Sequence, residues 1–145
     1  MSTTIGIASD HAGFELKREL IPWLEKNGYT VKDFGANSSE RSDYPDFGHP
    51  LATAVEKGEC RFGVGICGTG IGISITMNKH QGIRAALCWE PEIARLTRAH
   101  NDANVLSLPA RFISTDEAKK IVDTFLSTSF DGGRHAERIR KIPVK

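Results

Sequence analysis

The chain has 145 residues, with 19 Lys and Arg against 18 Asp and Glu, a formal charge of +1, and it is 39% hydrophobic. That length predicts one compact domain whose core needs neither disulfides nor a structural metal. The charge balance argues against a surface spread along nucleic acid, and no apolar run approaches the ~18 residues of a membrane span.

The charge is unevenly placed. Arg134 to Lys145 hold five basic residues and one acid, a local +4 against −3 for the rest, which suggests a local anion site. The opening Met-Ser-Thr-Thr-Ile-Gly has no basic stretch followed by an apolar one, so no secretory leader is expected. The cysteines Cys60, Cys67 and Cys88 are odd in number and without CxxC spacing. They fit a reducing cytoplasm better than a disulfide framework or a zinc cluster. No metal and no organic cofactor is expected.

Short apolar runs alternate with helical segments. Thr4–Ala8 reads as a strand. Ala12–Asn27 puts Leu16, Leu20 and Leu24 on one helix face and stops at Gly28. Pro22 inside it predicts a kink, since an interior proline costs about 3 kcal/mol. Tyr29–Phe34 reads as an edge strand and Pro45–Lys57 as a helix. Arg61–Ile66 alternates Phe62, Val64 and Ile66 with Gly63 and Gly65, and Ile71–Asn78 starts another helix. Arg84–Cys88 reads as a buried strand, Pro91–His100 as a helix with proline in its first turn, and Val105–Leu108 as a fifth strand. Asp116–Leu126 carries the apolar stripe of an amphipathic helix, with Ser114 and Glu117 as a capping box before it. Arg134–Lys141 is a short basic helix.

This alternation implies a Rossmann-like, doubly wound α/β fold in a single domain, 1–145. A five-stranded parallel sheet of order 2-1-3-4-5 is covered by helices on both faces and followed by a C-terminal helix. Ligands in such sheets bind beyond the carboxyl ends of the strands, at the switch point between strands 1 and 3. The loops Ser9–Gly13 and Cys67–Gly72 meet there.

In the second loop Gly68, Gly70 and Gly72 let the backbone curl and offer N–H groups to an anion at a helix start. The spacing is not GxGxxG, because Ile73 stands where the last glycine would be, and no Gly-Lys-Ser/Thr follows. Cys67 directly precedes these groups, where a thiol pKa is lowered, so it is a candidate base or nucleophile. Cys60 and Cys88 read as inert core thiols. Asp10 and His11 face the same crevice and suit proton transfer or sugar binding, and Asp10 also suits capping of the next helix. His100 and Asn101 end the fourth helix, at the opposite edge of the sheet; if functional, they reach a neighbouring subunit's crevice. His49 and His80 show no evident partners. Arg134 and Arg138 share a helix face that suits a phosphate, with Arg111 as a third cation. These parts suit proton transfer next to a carbonyl through an enediolate.

Seven ordered blocks resemble the ribose-5-phosphate isomerase type B group, within a family that also includes galactose-6-phosphate isomerase subunits. They are Ser9–Gly13, Ser42–Pro45, Cys67–Gly72, Asn78–Lys79, Gly82–Ala85, His100–Val105 and Gly132–His135. The resemblance runs end to end and implies a sugar-phosphate isomerase. It gives Cys67 as the base moving a proton between C2 and C1; other members use a glutamate later in the loop, absent from Ile71 to Ile73 here. It gives Gly68, Thr69, Gly70, Ile71 and Gly72 as the enediolate cradle, with Thr69 also near the sugar. His100 is then the proton donor in ring opening, assisted by Asp10. His11, Arg134 and Arg138 are phosphate ligands, Asn101 and Arg111 further contacts, and Tyr44 a pocket wall. It also implies dimers with sites shared between subunits, some pairing into tetramers. The alternatives are an isomerase of allose or galactose 6-phosphate, a non-catalytic sugar-phosphate sensor, and a flavodoxin-like electron carrier.

Overall fold

The computed structural model describes residues 2–145. In chain order the elements are β1 (Thr4–Ser9), α1 (Phe14–Lys26), β2 (Thr30–Asp33), α2 (Pro45–Glu56), β3 (Phe62–Cys67), α3 (Ile71–Met77), β4 (Ala85–Leu87), α4 (Pro91–Asn101), β5 (Val105–Pro109), α5 (Thr115–Ser127) and α6 (Arg134–Arg140). A single 3-10 turn, His11–Gly13, joins β1 to α1. No helix among the described residues is long and apolar enough to cross a membrane.

The doubly wound parallel sheet is present, but its outer order is corrected. The strands run β2-β1-β3-β5-β4, so the last two change places relative to 2-1-3-4-5. Burial explains the exchange. All five residues of β5 are buried, and it pairs with β3 along its whole length, from Gly63 opposite Val105 to Cys67 opposite Pro109. The Arg84–Cys88 segment expected to be a buried strand shrinks to three half-buried residues, which suit an edge. β2, mostly exposed, closes the other edge as its polarity predicts.

Side chains of alternating parity feed two cores. Ile5, Ile7, Val64, Ile66, Leu106 and Leu108 meet Leu16, Leu20 and Leu24 of α1 and Ile121, Val122 and Phe125 of α5. On the other face α2 and α3 bring Leu51, Val55, Ile73 and Met77. There the sheet offers glycine: a Cβ on Gly65 would lie 2.7 Å from Met77 Cε, and one on Gly6 2.6 Å from Leu51 Cδ1. The glycines of β3 therefore let α2 and α3 settle close against the strand ends, which brings the loop after β3 and the start of α3 together.

α1 runs through Pro22, which is exposed on its outer face. Water can take the carbonyl left without an N–H partner, and the helix continues. Lys17 of α1 is buried at 2% exposure. Its ammonium donates to both Asp33 oxygens at 2.7 and 2.9 Å and to the Ala36 carbonyl at 2.7 Å. This pins the chain leaving β2 beside Ser9, which exchanges backbone hydrogen bonds with Gly35 and Ala36. The Ser114–Glu117 capping box forms as expected.

Candidate functional site

At the carboxyl ends of β1 and β3 lies an open crevice of about 430 Å³, lined among others by Asp10, His11, Tyr44, Cys67, Thr69 and Arg111. Each side chain is set by local chemistry. Asp10 is nearly buried, and one carboxylate oxygen accepts from the N–H groups of Ala12 and Gly13 at 3.0 and 3.2 Å. Its capping role therefore holds, and the other oxygen is left for the crevice.

His11 is held by Ser42 across 31 residues of sequence. The His11 N–H donates to Ser42 Oγ at 3.1 Å, and the Ser42 N–H donates to His11 Nδ1 at 3.1 Å. The Ser42 carbonyl oxygen also lies 3.2 Å from Nδ1, so Ser42 offers this nitrogen both a donor and an acceptor and holds the ring in either tautomer.

The loop from Gly68 to Gly72 wraps the start of α3. Gly70 has φ 74°, and a Cβ there would lie 2.5 Å from Leu87 Cδ1. Gly70 is buried in the turn and does not line the crevice, so its part in the expected cradle is to shape it. Thr69 is exposed, and its hydroxyl accepts from the Ile71 N–H at 3.2 Å. The Tyr44 ring covers Gly72, where a Cβ would meet it at 2.5 Å. The Arg111 N–H donates to Gly68 O at 3.0 Å, and the Arg111 side chain lies along Gly68. Cys67 is almost buried at the crevice floor. Burial pushes the Cys88 thiol up to about 12, and also raises Cys60, so both are the inert core thiols expected.

The remaining expected site residues form a second group, away from this crevice. His100 and Asn101 end α4, and no residue of α6, which carries Arg134 and Arg138, is buried. The His100 and His135 rings stack with centroids 4.3 Å apart and 13° between planes. Asp131 donates its N–H to the Ala99 carbonyl at 2.9 Å. Desolvation first, then the charges of His100, Arg134 and Arg138, hold His135 below the ordinary imidazole range. Donor atoms of His100, Asp131 and His135 lie within 4.8 Å of one another. Stacked rings direct their in-plane lone pairs side by side, which does not converge them on one ion. The arginine ion pairs are Arg18–Glu15, Arg84–Asp102, Arg95–Glu92 and Arg98–Asp102. Among the described residues, Arg41, Arg61, Arg111, Arg134, Arg138 and Arg140 have no such pair, and of these Arg111 lines the crevice while Arg134 and Arg138 share α6.

Sequence reasoning missed Ile75 on the crevice wall and Ser42 behind His11. It also missed Asp131 and His135 beside His100, although His135 adjoins Arg134. His49 and His80, expected to lack partners, are corrected: His49 Nδ1 lies 2.8 Å from His80 Nε2, and His80 Nδ1 lies 3.0 Å from Glu56 Oε1. They are 31 residues apart on α2 and the turn after α3, which no local pattern reveals.

Fold and crevice define an open α/β protein with a glycine-rich loop and a thiol at its switch point. The model of the ribose/galactose isomerase family matches residues 5–142, and the chain belongs to that family. It is 48% identical to ribose-5-phosphate isomerase B of Escherichia coli, over 95% of this chain and 93% of that one. The structure of ribose-5-phosphate isomerase B from Clostridium thermocellum superposes with a TM-score of 0.96 at 55% identity, covering 97% of this chain and 95% of that one. The Mycoplasma genitalium ribose-5-phosphate isomerase B with bound ribulose-5-phosphate superposes with a TM-score of 0.94 at 44% identity, covering 98% and 95%.

Proposed function

We propose that the chain interconverts D-ribose 5-phosphate and D-ribulose 5-phosphate, as a cytoplasmic homodimer with active sites shared between subunits. The observation that carries this reading is Cys67 on the floor of a crevice that Gly68, Thr69, Ile71 and Gly72 of the glycine loop also line. With the substrate in open-chain form, the Cys67 thiolate takes the C2 proton of the aldose. The electron pair moves into a C1–C2 double bond, and the carbonyl oxygen becomes an enediolate oxygen held by the N–H groups of the loop, with Thr69 beside it. A proton passes from the C2 hydroxyl to the C1 oxygen, the C2 oxygen's electron pair forms the new carbonyl as the double bond's electrons take the thiol's proton at C1, and the ketose results with the thiolate restored. No group outside the protein enters this balance.

Ring opening precedes proton transfer, and His100 serves as its acid, with Asp10 assisting. His100, Asn101, Arg134 and Arg138 come to the crevice from a second copy. Exposed Ile71 and Ile75 line the crevice, and exposed Trp89 and Phe112 line an adjoining hollow with Thr69 and Ile71, apolar surface suited to that contact. His11 and Arg111 then face the partner's Arg134 and Arg138 across the phosphate.

Two experiments test this. Cys67→Ala is expected to abolish proton exchange at C1 of ribulose 5-phosphate in deuterated water while calorimetric binding survives; near-normal exchange refutes the base assignment. Mixing Cys67→Ala with His100→Asn chains under subunit exchange restores one intact site in each heterodimer, about a quarter of wild-type activity at random pairing. No recovery in demonstrated heterodimers refutes the shared site. Steady-state comparison of ribose 5-phosphate with allose and galactose 6-phosphates tests the substrate.

A further inference from the structure

The end of α4 is held more tightly than any helix end needs. Asp102, its C-cap, is the one non-glycine residue with positive φ among the described residues, at φ 46° and ψ 43°. An L side chain occupies that region only against steric cost, and such outliers gather at functional sites. Two arginines converge on it. Arg98, 4% exposed, lies over the rings of Phe62 and Phe125 at 4.9 and 5.8 Å. It donates to Asp102 Oδ1 at 2.7 Å and to the Ala103 carbonyl at 2.8 Å. Arg84 donates to the Asp102 carbonyl at 3.1 and 2.9 Å and to the Asn101 carbonyl at 3.1 Å. These bonds fix the backbone of the two positions beside His100 on its C-terminal side.

We infer that Asp102 is a positioning residue for ring opening: with Arg84 and Arg98 it sets where His100 and Asn101 present their side chains. This rests on the ring-opening role proposed for His100. A carboxylate serves here because one oxygen accepts from Arg98 at 2.7 Å while the other lies 3.5 Å from the Arg84 guanidinium, whose hydrogen bonds go to the backbone. Asparagine tolerates the left-handed turn and keeps one acceptor for Arg98. Glycine keeps the turn and removes the acceptor altogether.

The test compares two rates in Asp102→Gly, Asp102→Asn and His100→Asn. One is turnover of ribose 5-phosphate, which is largely ring-closed. The other is C1 proton exchange on ribulose 5-phosphate, which is open-chain and needs no ring opening. Asp102→Gly is expected to lose about tenfold or more on the aldose, as misplaced groups do, to keep its exchange rate, and to be largely rescued by Asp102→Asn. General loosening of the fold would slow both rates together. Equal losses, or no loss on the aldose, overturn the inference. If His100→Asn is selective and Asp102→Gly is not, only the role of Asp102 falls; if His100→Asn is unselective, the reading beneath it falls too. Should Asp102→Gly not fold, Arg84→Met is expected to show the same selective loss, and an even loss there overturns the inference.

Discussion

Gly70→Ala probes how the anion cradle is built. Gly70 holds φ 74° at the start of α3, and an added Cβ would lie 2.5 Å from Leu87 Cδ1 and 3.0 Å from the backbone carbon of Leu108. Two penalties combine. The left-handed backbone costs a β-carbon about 1–2 kcal/mol. Overpacking against a strand that cannot move costs about 1–3 kcal/mol. The sum, about 2–5 kcal/mol, corresponds to a fall in Tm of about 5–15 °C for a domain of this size. Gly132 supplies the control, because it has φ 72° with nothing within 4 Å of its Cβ position. Gly132→Ala should cost only the backbone part. Urea denaturation of both variants isolates the packing contribution as their difference. C1 proton exchange should also fall in Gly70→Ala, because the loop must shift away from β5. A Gly70→Ala protein within about 0.5 kcal/mol of Gly132→Ala would refute the packing argument.

Two further predictions concern stability. The Cys88 thiol, pushed up to about 12 by burial, stays protonated in the folded state at pH values where the unfolded thiol, near 9.0, ionises. Its contribution is whole below pH 9 and is lost as pH rises towards 12, by at most about 1.4 kcal/mol per unit. Denaturation at pH 8 and pH 10 should show this slope in the parent and a shallower one in Cys88→Ala; equal slopes would refute it. Lys17→Met leaves the Ala36 carbonyl without its buried donor, while Asp33, 39% exposed, turns to water, and should cost about 1–3 kcal/mol. In the double variant Lys17→Met/Asp33→Leu, equilibrium unfolding should show less than the summed single losses, and strict additivity would show the pair uncoupled.

The sequence makes most elements legible because their signals are local. Leucines four apart mark α1, a Ser–Glu pair marks the start of α5, and alternating glycines mark β3. The order of β4 and β5 is not local. It depends on which run can be buried on both faces, and Val105–Pro109 outcompetes the three half-buried residues of β4. The same division applies to the site. Cys67 and its glycines are contiguous, so they are readable in one line. The partnership of His11 with Ser42, of His49 with His80, and of His100 with Asp131 and His135 exists only after folding.

Topology also explains why the proposed site divides between subunits. In a parallel sheet every strand ends at one edge, and every connecting helix returns the chain to the other. Cys67, Asp10 and His11 follow strands; His100 and Asn101 finish a helix that precedes one. A single copy cannot bring the two groups together without unwinding α4, whose last turn is bound by Arg84 and Arg98. A second copy can do so by setting its helix ends against the first copy's crevice, and Trp89 and Phe112 on the rim give that approach apolar surface to bury. The arginines of α6 follow the same logic. On one chain Arg134 and Arg138 are solvated charge beside His135, whereas in the proposed dimer they form the far wall of the phosphate site. In the proposed dimer the basic C-terminal end therefore acts locally, on one anion held between two chains.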